Sequence, residues 1–393
     1  MMLALILAQI VLPWPGLDSP RVQPGPTICV GECAGPVVWG PAERGRLVVA
    51  CDMRSDTCSD GRKITTTRST PVPCEVAPGV WEMVPENTAC ISWRGLEAWA
   101  ATTSYLAYGA ELDRSPWNAL RGGTIAALAD GYRVTSAAGE AGVSGRIQVL
   151  SAQPEEGPVT LSCIVRTQQP IGRLTLEAGT GVVRHFDSFD TAGKWEIVSV
   201  SGTVAAGANR WVAIGPRNTD LTPASVDVKA CWLTHTSTPG RACWGGEAPV
   251  TCAADRHTIG TEGWPTESGE VCIRFGFDHE SSANRYLLDS RAGGEGVSLH
   301  LTGGQIVGRT YHQGSQVSIP GPSVPIGAHI ACLEWDATTL RLRFDGQLIG
   351  ESPHTPPASH RAAATVGYDT GGGSYFSGSI RSLTVRSYKE VSP

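Results

Sequence analysis

The 393-residue sequence predicts an all-β protein, with a small Cys-rich, disulfide-stapled N-terminal module followed by two tandem β-sandwich domains. Three observations carry that expectation. Apolar and polar residues alternate with period two in many short runs, the spacing of a strand with one buried face. Gly (47) and Pro (27) punctuate the chain at short intervals, as turns between strands require. No long stretch with a helical apolar period interrupts these runs. At roughly 100 to 200 residues per domain, the length suits two or three domains that each bury a core.

Charge and cysteine usage narrow the partners and the compartment. There are 31 Lys+Arg against 37 Asp+Glu, a net charge of -6, and no basic block to track a phosphate backbone, so nucleic acid is not an expected partner. The 12 Cys are dispersed, without a CxxC pair, which favours disulfides and an extracellular, oxidising setting over zinc. Met1 to Leu12 is apolar except for Gln9, but Pro13 and Pro15 break it well short of the ~20 residues of a membrane span. A cleaved secretory signal, and an apolar peptide that packs on a partner or on its own domain, both stay open for it.

Residues 1–95 form the expected module. Cys29, Cys33, Cys51, Cys58, Cys74 and Cys90 lie in Pro/Gly-punctuated text too irregular for a large core. Short strands at Arg46 to Ala50 and Lys63 to Thr67 are expected to make a small sheet stapled by disulfides. A zinc site on Cys29, Cys33, Cys51 and Cys58 is the alternative, although CxxxC and Cx6C fit structural zinc patterns poorly.

Residues 96–237 form the first sandwich, with strands at Gly145 to Leu150, Arg173 to Glu177, Trp195 to Val204 and Arg210 to Gly215. Val159, Leu161, Cys163 and Val165 alternate in one further strand; Val226, Val228, Ala230 and Trp232 alternate in another. A Cys163 to Cys231 bridge is expected here, yet this alternation turns Cys163 inward and Cys231 outward unless a bulge intervenes. Residues 238–265 read as a linker in which Cys243 and Cys252 close a small loop. Residues 266–393 form the second sandwich, with strands at Glu270 to Phe277, Arg285 to Ser290, Gly296 to Leu301, Gln305 to Tyr311, Ala328 to Asp336, Thr339 to Phe344, Ala362 to Tyr368 and Ser379 to Tyr388. Asp345-Gly346 is a type I′ hairpin signal, since that turn needs positive φ at both central residues. With Val271, Ile273, Phe275 and Phe277 inward, and Ala331, Leu333 and Trp335 likewise, Cys272 and Cys332 share the outer face and are expected to bridge.

Phe186 to Leu233, with Thr191-Ala192-Gly193-Lys194-Trp195 and later Ser225-Val226-Asp227-Val228, resembles the jelly-roll carbohydrate-binding modules appended to polysaccharide-degrading enzymes. Glu270 to Tyr388, with Asp345-Gly346 after Leu340-Arg341-Leu342-Arg343-Phe344, Thr365-Val366-Gly367 and Phe376-Ser377-Gly378-Ser379-Ile380, resembles the laminin G or concanavalin A-like lectin/glucanase sandwich. Thr65-Thr66-Thr67-Arg68-Ser69, Arg94-Gly95-Leu96-Glu97, Thr102-Thr103-Ser104-Tyr105-Leu106, Glu111-Leu112-Asp113 and Pro116-Trp117 resemble a pattern that precedes a jelly roll in tailed-phage and prophage surface proteins. The chain departs from that pattern at Ser104-Tyr105-Leu106, where Thr-Asn-Leu-Leu is usual, and in its N-terminal cysteines. The resemblances imply an extracellular or virion-surface location, polysaccharide and other virion proteins as partners, and calcium as a possible bound ion.

Glucanases on the concanavalin A-like sandwich carry an E-x-D-x-x-E string, which is absent here. Glu334-Trp335-Asp336 and Asp278-His279-Glu280 are the nearest carboxylate groups. GxSxG, HExxH and GxxxxGK[ST] are absent too, so no enzyme is expected. Sugars commonly stack on an aromatic ring beside hydrogen-bonding side chains. Tyr311 with His312, and Tyr368 with Asp369 and Tyr375 around Gly371 to Gly373, are the candidate glycan-binding residues. Trp264 and Trp211 are weaker ones, while Trp195, Trp232 and Trp335 sit in strand alternation and read as core. For calcium, Asp187 with Asp190, or Asp369, are the carboxylates to consider. The leading reading is a non-catalytic adhesion or glycan-recognition protein; a structural virion component without a sugar ligand, and a secreted glycan hydrolase, are the alternatives.

Overall fold

The computed structural model describes residues 46–55, 57–138, 142–143, 145–150, 156–168, 172–178, 182–204, 210–218, 223–238, 240–277 and 284–388. Every regular element among them is a β-strand. Met1 to Leu12, Cys29, Cys33 and Asp278-His279-Glu280 lie outside the described residues.

Two antiparallel sheets share the larger core. In the first, Gly269–Phe277 lies between Gly378–Ser387 and Gly327–Trp335, followed by Thr339–Phe344 and Gln347–Pro353. Val271, Ile273, Phe275, Ala331, Leu333 and Trp335 all enter this core. Alternation therefore leaves Cys272 directly opposite Cys332 on the other face, where the two form a disulfide. Asp345 (φ 48°) and Gly346 (φ 83°) turn Thr339–Phe344 into Gln347–Pro353. The second sheet runs Ser315–Ser323, Gln305–His312, Gly296–Thr302, Arg285–Asp289, Ala363–Val366, Arg256–Gly260, Thr65–Thr67.

The strands expected to make a small N-terminal sheet instead join these two. Arg46–Asp52 pairs with Gly378–Ser387, and Thr65–Thr67 pairs with Arg256–Gly260. The reason is burial: a lone two-stranded sheet has no core, whereas here Val49, Cys51 and Met53 are buried among the residues of the large one. Cys51–Cys58 then closes the turn at this edge. Gly95–Ala98 also docks on Gly378–Ser387, and only Gly serves at position 95, where φ is 132° and a Cβ would sit 2.4 Å from the Ile380 carbonyl oxygen.

The smaller sandwich has one sheet ordered Thr124–Leu128, Gly131–Thr135, Ser225–Thr234, Gly157–Arg166, Glu196–Val204. Its other sheet runs Val182–Phe189, Gly172–Ala178, Arg210–Asn218, Gly145–Leu150, Asn118–Leu120. A bulge decides its central pairing. Ile164 faces Ala230 but Val165 faces Val228, so Lys229 is the extra residue and the alternation of Ser225–Thr234 reverses after it. Val226 and Val228 before the bulge, and Cys231 and Leu233 after it, all enter the core. Cys163 and Cys231 meet there as a buried disulfide. Trp232 is thereby turned to the opposite face, where it packs with Ile164 and Ala242, flanked by Trp81, Trp195 and Trp244.

A third, small core joins the hairpin Val72–Ala77/Val80–Val84 to the ribbon Thr102–Ser104/Val250–Cys252. It contains Val72 and the disulfides Cys74–Cys90 and Cys243–Cys252. Beside it Asp255 holds two buried guanidinium groups, Arg68 at 2.7 Å and Arg241 at 2.9 Å. The interval 238–265, read as a linker, thus carries two strands, Val250–Cys252 and Arg256–Gly260.

Candidate functional site

The candidate aromatics lie along one sheet and the loop at its end. Tyr311 is the penultimate residue of Gln305–His312 and pairs with Gly296. Its ring is only 8% exposed, the Arg291 guanidinium lies 5.1 Å from its centroid, and its hydroxyl accepts from Arg309 (3.2 Å) and Arg291 (3.4 Å). This ring is an anchor more than an open platform. The half-buried His312 faces Glu295 at 3.5 Å.

Tyr368, Asp369 and Tyr375 are brought together by a tight loop. Asp369 Oδ1 accepts the backbone N–H groups of Gly373 (2.7 Å) and Ser374 (3.0 Å), folding 369–374 back on itself. The rings of Tyr368 and Tyr375 stack with centroids 5.9 Å apart and planes 18° from parallel. Tyr368 is buried beneath, so Tyr375 is the half-exposed member. Its hydroxyl accepts from Arg256 Nε at 3.2 Å. Arg256 is exposed, and its Nη2 would lie 3.5 Å from a Cβ at Gly372, where φ is 73°.

Asp289 links this loop with the Tyr311 group. Its buried carboxylate accepts from Arg291 Nε at 2.8 Å and from the Thr370 backbone N–H at 3.1 Å. Arg291 in turn lies 5.1 Å from the ring centroids of both Tyr286 and Tyr311. Arg256, Asp289 and Arg291 were not legible as site residues. Arg256 stands in a short strand inside an apparent linker, and Asp289-Ser290-Arg291 has the look of any strand-ending turn. Of the weaker candidates, Trp264 is buried in the large core and Trp211 is half-buried on Arg210–Asn218.

His300 sits under this face, 1% exposed, with its ring stacked on Tyr286 at 4.7 Å. Burial first, then the nearby Arg309 and Arg291 guanidiniums, push its pKa down to about 3. The unfolded chain titrates it near 6.5, so the stability it confers is complete above that value and is lost as pH falls from there towards about 3. The slope is about 1.4 kcal/mol per pH unit. Going from pH 7 to pH 5 is therefore expected to remove about 2 kcal/mol through this residue, a share that His300→Phe should abolish. Urea midpoints of both proteins at the two pH values check it. Equal pH dependence in both would refute it.

The carboxylates considered for catalysis are engaged elsewhere. Asp336 caps the turn before Thr339–Phe344; against the upward push of burial, the Thr338 and Thr339 N–H groups and Arg341 hold it down at about 2. A group ionised to that pH is no general acid near neutrality. Glu334 pairs with Arg343 at 2.6 Å. Opposite it, the 4%-exposed Glu270 is pushed up by burial and lies 3.6 Å from Arg386.

Glu270, Cys272 and Cys332 are the one convergence of three residues of metal-ligating type among the described residues. Both sulfurs belong to a disulfide, which leaves no thiolate to bind an ion. Of the carboxylates considered for calcium, Asp190 accepts the Ala192 N–H at 2.8 Å and Asp369 holds its own loop. These oxygens serve backbone donors, an arrangement unlike the six to eight converging oxygens calcium takes. The Asp187 side chain lies outside the described residues.

No protein-family profile matches the sequence, and no curated protein matches it. Solved structures overlap part of it. The binding domain of botulinum neurotoxin DC, solved in complex with SialylT, is 12% identical over 35% of this chain and 37% of that chain, with a TM-score of 0.29. The same domain with rat synaptotagmin II gives 11% identity over 35% and 38%, with a TM-score of 0.29. The receptor binding domain of the botulinum neurotoxin C/D mosaic serotype gives 11%, 35%, 38% and 0.28. The chain spans well under half the length of these structures, and overlap at this level assigns it neither a fold nor a ligand.

Proposed function

We propose that this is a non-catalytic glycan-recognition or adhesion protein of an extracellular or virion surface, whose large sandwich presents a binding face on the 369–375 loop. The observation that carries this reading is the Tyr375–Arg256 pair. A half-exposed phenol ring is backed by Tyr368 and held by its hydroxyl against an exposed guanidinium. Such a ring offers an apolar face to sugar C–H groups, while the guanidinium donates to a hydroxyl or carboxylate beside it. The loop is fixed in advance by Asp369, which lowers the entropy cost of binding. Tyr311 acts in this reading as a buried support, tied to the loop through Arg291 and Asp289, and the half-buried His312 beside it faces Glu295.

The proposed domain division keeps a jelly roll at 96–237 and a lectin-like sandwich at 266–393, with segments of residues 46–95 completing the latter's sheets. Cell-surface or extracellular polysaccharide is the proposed partner, and other virion proteins are the partners of the assembly alternative. The test is a glycan array probed with the full chain and with Tyr375→Ala and Arg256→Ala. Each variant is expected to lose at least tenfold in affinity, about 1.4 kcal/mol, with its melting temperature unchanged. Absence of binding by the folded protein, with and without calcium, would move the assignment to the assembly role.

A further inference from the structure

A groove of about 470 Å³ lies between the hairpin Val72–Ala77/Val80–Val84 and the strand Glu196–Val204, far along the chain from the tyrosine loop. That size falls in the range of about 300 to 1,000 Å³ usual for ligand sites. Trp93, 46% exposed, stands on one wall and the half-buried Trp195 on the other. Alternation within its strand marks Trp195 as core, yet it lies at the strand's mouth, outside the main core.

Both indoles are held by their N–H groups. Trp93 Nε1 donates to Glu75 Oε2 at 3.1 Å, and Glu75 Oε1 accepts the Gly79 N–H at 2.8 Å. Trp195 Nε1 donates to Asp130 at 2.8 Å, and the Arg166 guanidinium lies 4.4 Å from its ring centroid. With its polar edge engaged, Trp93 has chiefly apolar surface left to offer in a fixed orientation; Trp195 is covered in part by Arg166, by Lys229 at 5.8 Å from its centroid and by Gly79, and adds only the part of its ring that remains open. That is the surface a pyranose ring covers with its C–H groups.

The charges around the rings complete the chemistry. Glu75 and Glu196 are acidic, Arg94 and Lys194 are basic, and the lining is therefore electrically balanced. A polyanion would meet two carboxylates and a polycation two cations, whereas a neutral polyhydroxylated chain finds both donors and acceptors. We propose that this groove is a second saccharide site, binding a segment of a neutral hexopyranose glycan against Trp93 and Trp195. The inference rests on the reading of the chain as a glycan-recognition protein and adds a second valence to it.

The test is calorimetric titration of the full chain with neutral tetrasaccharides of glucose, galactose, mannose and N-acetylglucosamine, and with sulfated counterparts. A neutral tetrasaccharide is expected to bind, to lose at least tenfold in affinity in Trp93→Ala, and to lose severalfold in Lys194→Ala. It should bind Tyr375→Ala as it binds the parent. Trp93 and Lys194 are exposed, so both variants are expected to keep the parent melting temperature. Binding that survives Trp93→Ala, that disappears in Tyr375→Ala, or that is confined to sulfated sugars would overturn the groove and leave the glycan-recognition reading standing. No tetrasaccharide binding by a chain that still binds the glycan array would overturn the groove alone, and silence in both assays would overturn both.

Discussion

Asp255→Ala is expected to destabilise the chain by about 3 to 5 kcal/mol, the usual cost of removing one partner from a buried ion pair. Here the single carboxylate serves two cations: Arg68 and Arg241 are 2% exposed each, and Asp255 is fully buried. Its second oxygen also accepts the Trp99 N–H at 3.2 Å. The arginines cannot simply turn to water. Arg68 is pinned by its other donors to the carbonyls of Thr70 (2.8 Å), Pro85 (2.8 Å) and Thr88 (3.0 Å), which are themselves held in place by it.

Asp255→Asn keeps the shape and an acceptor for Trp99 but leaves two buried positive charges uncompensated. It should therefore be nearly as damaging as Ala. Urea unfolding measures this as a lower midpoint at an unchanged slope. Against a typical total stability of about 5 to 15 kcal/mol, roughly a fifth or more of the margin would be lost. A loss below 1 kcal/mol in both variants would show that Arg68 and Arg241 do not depend on this carboxylate. Arg256 follows Asp255 directly in the chain, so a chain weakened here should also lose the array binding attributed to Tyr375.

The sequence revealed most where one strand had to satisfy two neighbours at once. Gly269–Phe277 is read correctly because its alternation serves a buried core on one face and a cross-strand cysteine on the other. Asp345-Gly346 is read because its backbone demands positive φ. Edge strands escaped: Ser315–Ser323 contains Pro320, Gly321 and Pro322, residues that break a strand signal but are tolerated where one side of the strand has no ladder to complete. Arg46–Asp52 was legible as a strand, but its partner more than 300 residues away left no mark in the local pattern.

The proposed binding face was half legible for a related reason. Tyr368, Asp369 and Tyr375 lie within one loop, so composition pointed to them. Arg256 reaches Tyr375 from 119 positions away, and the Trp93 and Trp195 walls of the groove are similarly remote in sequence. The bulge at Lys229 shows the limit most clearly. One extra residue reverses the second half of a ten-residue strand, bringing Cys231 in and turning Trp232 to the other face, and the only cue to it in the sequence is the conflict between the alternation and a Cys163–Cys231 bridge. The participation of residues 46–98 in both large sheets also means that binding tests require the full chain, since residues 266–393 alone lack Arg46–Asp52, Thr65–Thr67 and Arg256–Gly260.

Removing the Cys163–Cys231 bridge as Cys163→Ala with Cys231→Ala is expected to cost about 4 kcal/mol through chain entropy alone, because the bridge closes a loop with a sequence separation of 68. The comparison with Cys272–Cys332 separates entropy from packing. That bridge has a sequence separation of 60 and so nearly the same entropic value; its cysteines are also buried, at 5% and 3% exposure, but on the outer face of their sheet and apart from the apolar cluster, while Cys163 and Cys231 are 0% exposed inside the smaller core. Emptying the space of two sulfurs packed in the apolar core should add about 1 kcal/mol or more to the first loss, and less to the second, whose sulfurs are buried outside that kind of cluster. Urea unfolding of the two double variants under identical conditions gives the difference. A larger loss for Cys163/Cys231 assigns the excess to core packing. Equal losses would mean that the smaller sandwich closes over the gap, and that its bulged strand is held in register by the Val226, Val228 and Leu233 contacts without help from the sulfurs.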